Sequence, residues 1–185
     1  MVVAEFESFH EAFPPDGDRE PYDATRFASF ADKVPVALVS EWRQVGFGSF
    51  GSGILWMPPP DEPVLSDGDW PGLDSSCIEV LRTAFGNVCI WQQDQFHWLS
   101  VYGGKLHSFP GDVELFFYGL GDKDFRHTVL RERIFNIARD RLGDLSKDEC
   151  YGFAPLPTLG GAIAEKYLIK TRMREYLSMV AQTVG

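Results

Sequence analysis

The sequence has no long hydrophobic run. Its longest apolar stretches, such as residues 34–39, are far shorter than the roughly 18 residues that a membrane-spanning helix needs. The first residues carry Glu5, Glu7 and Glu11, where a secretory signal would carry basic residues. These two absences predict a soluble cytoplasmic protein with no membrane partner.

Cysteine is also scarce. The three cysteines, Cys77, Cys89 and Cys150, form no C-x-x-C motif and leave an odd number. A disulfide framework or a zinc ribbon needs paired cysteines at regular spacings. Reduced thiols in a cytosol are therefore expected, and Cys77 and Cys89, in apolar segments, are interpreted as small buried side chains rather than nucleophiles.

Basic residues are few in the first two-thirds of the chain. Residues 1–120 hold six bases against 18 acids, a net charge of −12, whereas residues 121–185 hold 11 bases against nine acids, a net charge of +2. Such an acidic region repels the phosphate backbone of nucleic acids and attracts a basic protein. Direct nucleic-acid binding is not expected, although net negative charge also serves solubility alone.

Catalytic and metal-binding motifs are absent from the sequence. There is no G-x-S-x-G and no H-E-x-x-H, and the two D-G-D sites at 16–18 and 67–69 are too short for calcium loops. A two-residue turn at 103–104 would place His107 opposite Ser100, on the sheet face of Trp98, with His97 on the other face. We therefore predict no catalytic residue, no metal site and no cofactor.

One segment does resemble a nucleotide-binding motif. The glycines Gly46, Gly48 and Gly51 of GFGSFGSGILW have the spacing G-x-G-x-x-G. A dinucleotide-binding turn needs a strand before it and a helix after it, because the helix N-terminus binds the phosphates. Here a helix is predicted before the glycines, over 35–45, and a strand after them, over 54–57. A structural turn is favoured, and a small-ligand or nucleotide site in Gly46–Gly53 is the alternative.

The pattern of apolar residues predicts an α+β fold with a central antiparallel meander sheet of about four to five strands and helices at both ends. Turn residues at 86–87 and 103–104 separate the strands of two hairpins. Helices are predicted over 25–32, 35–45, 112–118 and 129–142, with a final helix over 169–184. We expect an α+β region at 1–118 and a mostly helical region at 119–185.

The predicted loop over residues 61–74 is rich in acid, proline and glycine. Its length suggests a function, and its acids would face a basic partner. Trp70 is interpreted either as an anchor of the loop or as an exposed interface residue. The predicted partner-binding residues of this loop are Asp61, Glu62, Asp67, Asp69, Trp70 and Asp74.

Three segments together carry a family resemblance: GFGSFGSGILWMPPP, AFGNVCIW and DECYGFAPLPTLGG, the last of which precedes a terminal helix. In this order they resemble the bacterial GAD-like immunity family. The matching positions, whose role in the family is to define the fold, are Gly46, Gly48, Gly51, Gly53, Trp56, Phe85, Gly86, Trp91, Glu149, Tyr151, Gly152, Phe153, Pro155, Gly160 and Gly161.

In that family a GAD-like N-terminal region is joined to a C-terminal immunity domain, which is shared with proteins that protect bacteria from type VI secreted DNase toxins. The resemblance therefore implies an antitoxin in bacterial competition that is not an enzyme and binds a basic nuclease toxin. The acidic composition favours such a partner independently, because a protein that cleaves DNA is expected to carry a basic surface.

Overall fold

The computed structural model describes residues 4–65 and 70–184 and has the predicted α+β fold. Its central antiparallel sheet has six strands in sequence order, more than the four to five expected. The strands are β1 (Gly48–Phe50), β2 (Leu55–Met57), β3 (Ile78–Thr83), β4 (Val88–Gln92), β5 (Gln95–Ser100) and β6 (Lys105–Phe109).

Seven α-helices lie before and after this sheet in the described part of the chain. They are α1 (Glu7–Ala12), α2 (Ala28–Ala31), α3 (Val36–Val45), α4 (Val113–Leu120), α5 (Lys123–Thr128), α6 (Glu132–Leu142) and α7 (Met173–Ala181). Local signals define several ends. Helix α3 follows Pro35 and ends at Gly46 with φ 75°, and Asp112 caps α4 by accepting a hydrogen bond from the Leu115 amide at 2.8 Å.

A second, two-stranded sheet corrects the predicted final helix. Strand β7 (Glu149–Phe153) pairs antiparallel with β8 (Leu168–Arg172), so the helix that was expected from 169 begins only at Met173. The backbone of β8 bonds to β7, and along the strand Ile169 and Thr171 are partly buried whereas Lys170 and Arg172 are exposed. This alternation is typical of a half-buried strand, and tertiary pairing overrides the helical spacing of the apolar residues.

Apolar clusters cover both faces of the six-stranded sheet. Cys89 and Phe96 point to the larger cluster, which also contains buried residues of α1, α3, α4 and α6. Val88, Ile90 and Leu99 point to a second cluster with α7. Neighbouring residues thus alternate between two cores, as the period of a strand requires. The C-terminal part is attached to the sheet, since the Tyr151 amide donates to the Ala84 carbonyl at 2.7 Å.

The β5–β6 hairpin differs from the predicted register. Ser100, not Tyr102, pairs with Lys105, and His107 lies opposite Trp98, because the connection comprises the four residues 101–104. A shift of two residues keeps every side chain on its expected face. His97 is buried and His107 exposed, on opposite faces as predicted.

The N-terminal segment covers the edge of the six-stranded sheet that β1 forms. Residues 14–20 run along β1: the Asp16 amide donates to Ser49, and Glu20 and Phe47 exchange backbone hydrogen bonds at 2.8 and 2.9 Å. The guanidinium of Arg19 donates to the carbonyls of Val45, Gly46 and Ser49. The N-terminal segment therefore protects this edge from pairing with another chain.

Candidate partner-binding surface

The glycine segment forms the turn between β1 and β2. Gly51, Ser52 and Gly53 have φ values of 59°, 63° and 89°, a run of left-handed residues that aims successive amides at one point. That point is occupied by the chain itself, because the Asp16 carboxylate accepts hydrogen bonds from the amides of Ser52 and Gly53, each at 2.9 Å. A strand, not a helix, follows the turn. This arrangement supports the structural interpretation of the glycines.

The segment that we name the proline loop, residues 58–65, follows β2 and is fixed from beneath by a buried ion pair. Glu79 and Arg82 are only 1% and 6% exposed, and Arg82 Nε lies 3.0 Å from Glu79 Oε2. Glu79 also accepts a hydrogen bond from the Leu65 amide at 2.6 Å, while Arg82 donates to the Glu62 carbonyl. Burial raises the pKa of Glu79, although the charge of Arg82 opposes the shift.

The acidic side chains on the proline loop are already paired. Arg26 donates to both carboxylate oxygens of Asp61, at 2.6 and 2.8 Å, and also contacts Glu20 and Glu62. Lys147, which follows α6, donates to Glu62 at 3.0 Å. Asp61 and Glu62 are therefore members of an internal charge network, rather than a free negative surface.

Two grooves flank the proline loop, and Glu62, Arg82 and Lys147 line both. The first groove also contains Asp148, Arg172 and Arg174, and Arg174 donates to the carbonyl of Pro63. The second groove has an apolar floor that includes Phe47, Trp56, Pro58 and Pro59. The loop is thus the ridge of a surface with mixed charge, built from both parts of the chain.

The other predicted partner residues have different positions. Trp70 is 2% exposed and packs in the second apolar cluster, so it is the loop anchor, and its interpretation as an exposed interface residue is wrong. Asp74 caps a local turn by accepting from the Ser76 amide at 2.8 Å, and its hydrogen bonds with Ser76 lower its pKa. Asp67 and Asp69 lie outside the described residues.

The described residues contain no group of three or more His, Cys, Asp or Glu side chains that could hold a metal ion. Cys89 and Cys150 are buried. Burial raises the pKa of both thiols, that of Cys150 to about 12. A thiol with a high pKa carries little of the thiolate that acts as a nucleophile.

Within the described part of the chain, no helix combines the length and the apolar character that crossing a bilayer requires. The same α+β fold occurs in a solved protein, "Crystal structure of Atu4351 from Agrobacterium tumefaciens". The superposition has a TM-score of 0.76 at 16% sequence identity, and it covers 96% of this chain and 88% of that one. At this identity the likeness concerns the fold alone.

Two family models match the sequence in succession. Residues 4–102 match the GAD-like domain, and residues 111–184 match "T6SS immunity protein Tdi1, C-terminal". The chain therefore belongs to the GAD-like family of type VI secretion system (T6SS) immunity proteins, which confirms the resemblance found in the sequence. No curated protein matches the chain.

Proposed function

We propose that this protein binds and neutralises a DNase toxin delivered by a type VI secretion system, in the cytoplasm of the cell that the toxin enters. It acts by protein–protein contact and catalyses no reaction. The observation that carries the proposal is the match of residues 111–184 to a T6SS immunity protein, directly after a GAD-like domain.

The proline loop and its two grooves are the first proposed contact surface, with Asp61 and Glu62 on the ridge. The buried Glu79–Arg82 pair holds the loop backbone, and a surface that is ordered before binding loses little conformational entropy on association. The proposed contact surface also includes Asp67, Asp69 and Asp74, which follow the proline loop in the sequence. Trp70 contributes by positioning the loop rather than by contact.

The predicted regions 1–118 and 119–185 form this surface together. Lys147 reaches Glu62 and Arg174 reaches Pro63, so the ridge carries groups from both regions. We propose that the two regions bind the toxin as one unit. A toxin side chain that binds Asp61 must compete with Arg26, so contacts here favour specificity over long-range attraction.

The experiment is a protection assay joined to a binding measurement. A toxin candidate is sought among the genes that neighbour this one and is expressed in bacterial cells with and without the protein, and a catalytically inactive form of it is used for calorimetry. We expect cell survival, intact chromosomal DNA and a dissociation constant in the nanomolar range, equivalent to about −12 kcal/mol. Loss of DNA in the presence of the protein, with no binding to the inactive toxin, would overturn the proposal.

A nucleotide titration monitored by tryptophan fluorescence tests the alternative. Trp56 donates through its indole nitrogen to the Gly53 carbonyl at 3.1 Å, so occupation of the glycine turn would change its emission. Because the Asp16 carboxylate already binds these amides, we expect no saturable response to ATP or NAD.

A further inference from the structure

A second surface carries large hydrophobic side chains that are exposed, whereas the proline loop has none of that size. On α4, the buried side chains Phe116 and Phe117 face the core, whereas Leu115 and Tyr118 are 53% and 63% exposed. Leu115 and Tyr118 are three residues apart on a helix and therefore lie on one face. Exposed aromatic side chains next to other apolar groups are typical of protein interfaces.

Helices α1 and α4 form a groove beside this face. Phe9 of α1 contacts Phe117 of α4 with ring centroids 5.1 Å apart, and Phe6, directly before α1, contacts the same ring at 4.3 Å. Gly121 follows α4, and a Cβ there would lie 3.2 Å from that of Ala12. Outward from this contact, Ser8 and Glu11 of α1 face Tyr118 and Asp122 across a shallow groove. We name it the α1–α4 groove.

The charged side chains that line the α1–α4 groove are acidic. Among the described residues that line it, none is a lysine or an arginine. Glu7 and Glu11 are exposed on α1, and Glu114, one turn before Tyr118, is exposed on α4. None of these three glutamates has an ion-pair partner within residues 4–65 and 70–184. In contrast to Asp61 and Glu62, they are free to attract a positive surface.

We propose that the α1–α4 groove docks a basic protein surface, which, on the function proposed above, belongs to the toxin. Tyr118 supplies a ring for the stem or the cation of an arginine or lysine, and the carboxylates accelerate encounter. A second copy of this chain is a poor occupant, because the same negative charges would meet in a symmetric contact. The groove thus makes the electrostatic contact that the sequence assigned to residues 61–74.

Two variants test this assignment against the inactive toxin. Tyr118→Ala removes the anchor, and we expect the dissociation constant to rise about tenfold or more through faster dissociation. Glu11→Lys reverses one free charge and is expected to slow association at low salt and to reduce its salt dependence. The matched controls are Met179→Ala, which truncates another exposed side chain on α7, and Asp140→Lys on α6. Both controls should bind like the unmodified protein.

The outcomes separate the two proposals. If the unmodified protein neither binds nor protects, the proposed function fails. If it binds, and folded Tyr118→Ala and Glu11→Lys proteins bind with unchanged rates, the α1–α4 groove is not the docking surface. Dimerisation in sedimentation experiments that Tyr118→Ala abolishes would assign the groove to a second copy, and would also overturn the inference. Circular dichroism verifies that each variant is folded.

Discussion

The carboxylate of Asp16 lies 2.9 Å from the backbone nitrogen of Gly53. The same carboxylate binds the Ser52 amide, so one acidic side chain joins the N-terminal segment to the β1–β2 turn. We expect Asp16→Ala to lower the free energy of unfolding by about 2 kcal/mol, because two amides lose a charged acceptor. Urea denaturation measures the change. Asp18→Ala, at an exposed position two residues away, is the control and should have little effect.

Replacing either of two glycines by valine tests whether the fold requires their left-handed backbone conformation. Gly51 and Gly160 have φ values of 59° and 85°, which a β-branched residue adopts only with strain. At Gly51 a Cβ would also lie 2.9 Å from the Phe13 ring, whereas at Gly160 the space is open. Both substitutions should destabilise the protein by about 1 kcal/mol or more, and Gly51→Val by the larger amount. Equal melting temperatures for the two variants would contradict the role of Phe13.

The Glu79–Arg82 pair is suited to a double-mutant cycle. Arg82→Met leaves the buried Glu79 without its partner and should cost about 3–5 kcal/mol. Glu79→Leu should also be costly, because it leaves the buried Arg82 without its partner and removes the hydrogen-bond acceptor of the Leu65 amide. The double variant should cost clearly less than the sum of the single variants. Additive costs in guanidinium denaturation would show that the two charges are not coupled.

Trp70 is buried in the second apolar cluster. We expect Trp70→Ala to lower the free energy of unfolding by about 3–5 kcal/mol, because a large side chain leaves the second apolar cluster. Trp70→Phe keeps most of the packing. Since the indole nitrogen is buried without a hydrogen-bond partner among the residues that the structure describes, Trp70→Phe should cost much less than Trp70→Ala. If folded Trp70→Phe bound the inactive toxin far more weakly than the unmodified protein at equal stability, direct contact would be indicated.

Thiol labelling at pH 8 should distinguish the three cysteines. Burial raises the pKa of Cys89 and of Cys150, the latter to about 12, so their thiolate fractions at pH 8 are very small. Cys77 is half-buried. Mass spectrometry of the native protein should therefore show at most one adduct, and the unfolded protein three. Rapid labelling of Cys150 in the native state would contradict the packing of β7.

Local signals made part of the fold predictable from the sequence. Pro35 and Gly46 fix both ends of α3 through backbone conformation alone. Strand β1 was missed because it has three residues, one of them glycine. Strand β8 was missed because its partner β7 is distant in sequence, and the spacing of Ile169, Met173 and Tyr176 also fits a helix.

The candidate surface was less predictable, because long-range ion pairs determine its charge. Arg26 and Asp61 are 35 residues apart in sequence, and Lys147 and Glu62 are 85 apart. The number of acidic residues in the loop does not reveal which of them are paired with distant basic residues. The family could be recognised from local motifs such as DECYGFAPLPTLGG, but which carboxylates remain free depends on the folded chain.

The contact between α1 and α4 has a consequence for synthesis. Phe6 and Phe9 pack on Phe117, which leaves the ribosome only after all six strands of the main sheet. These two aromatic side chains, one directly before α1 and one within it, therefore lack these contacts throughout most of translation, and exposed apolar groups of this kind recruit chaperones or aggregate. Nascent chains that stop before α4 should be sensitive to protease in the first helix, and chains extended through α4 should acquire resistance.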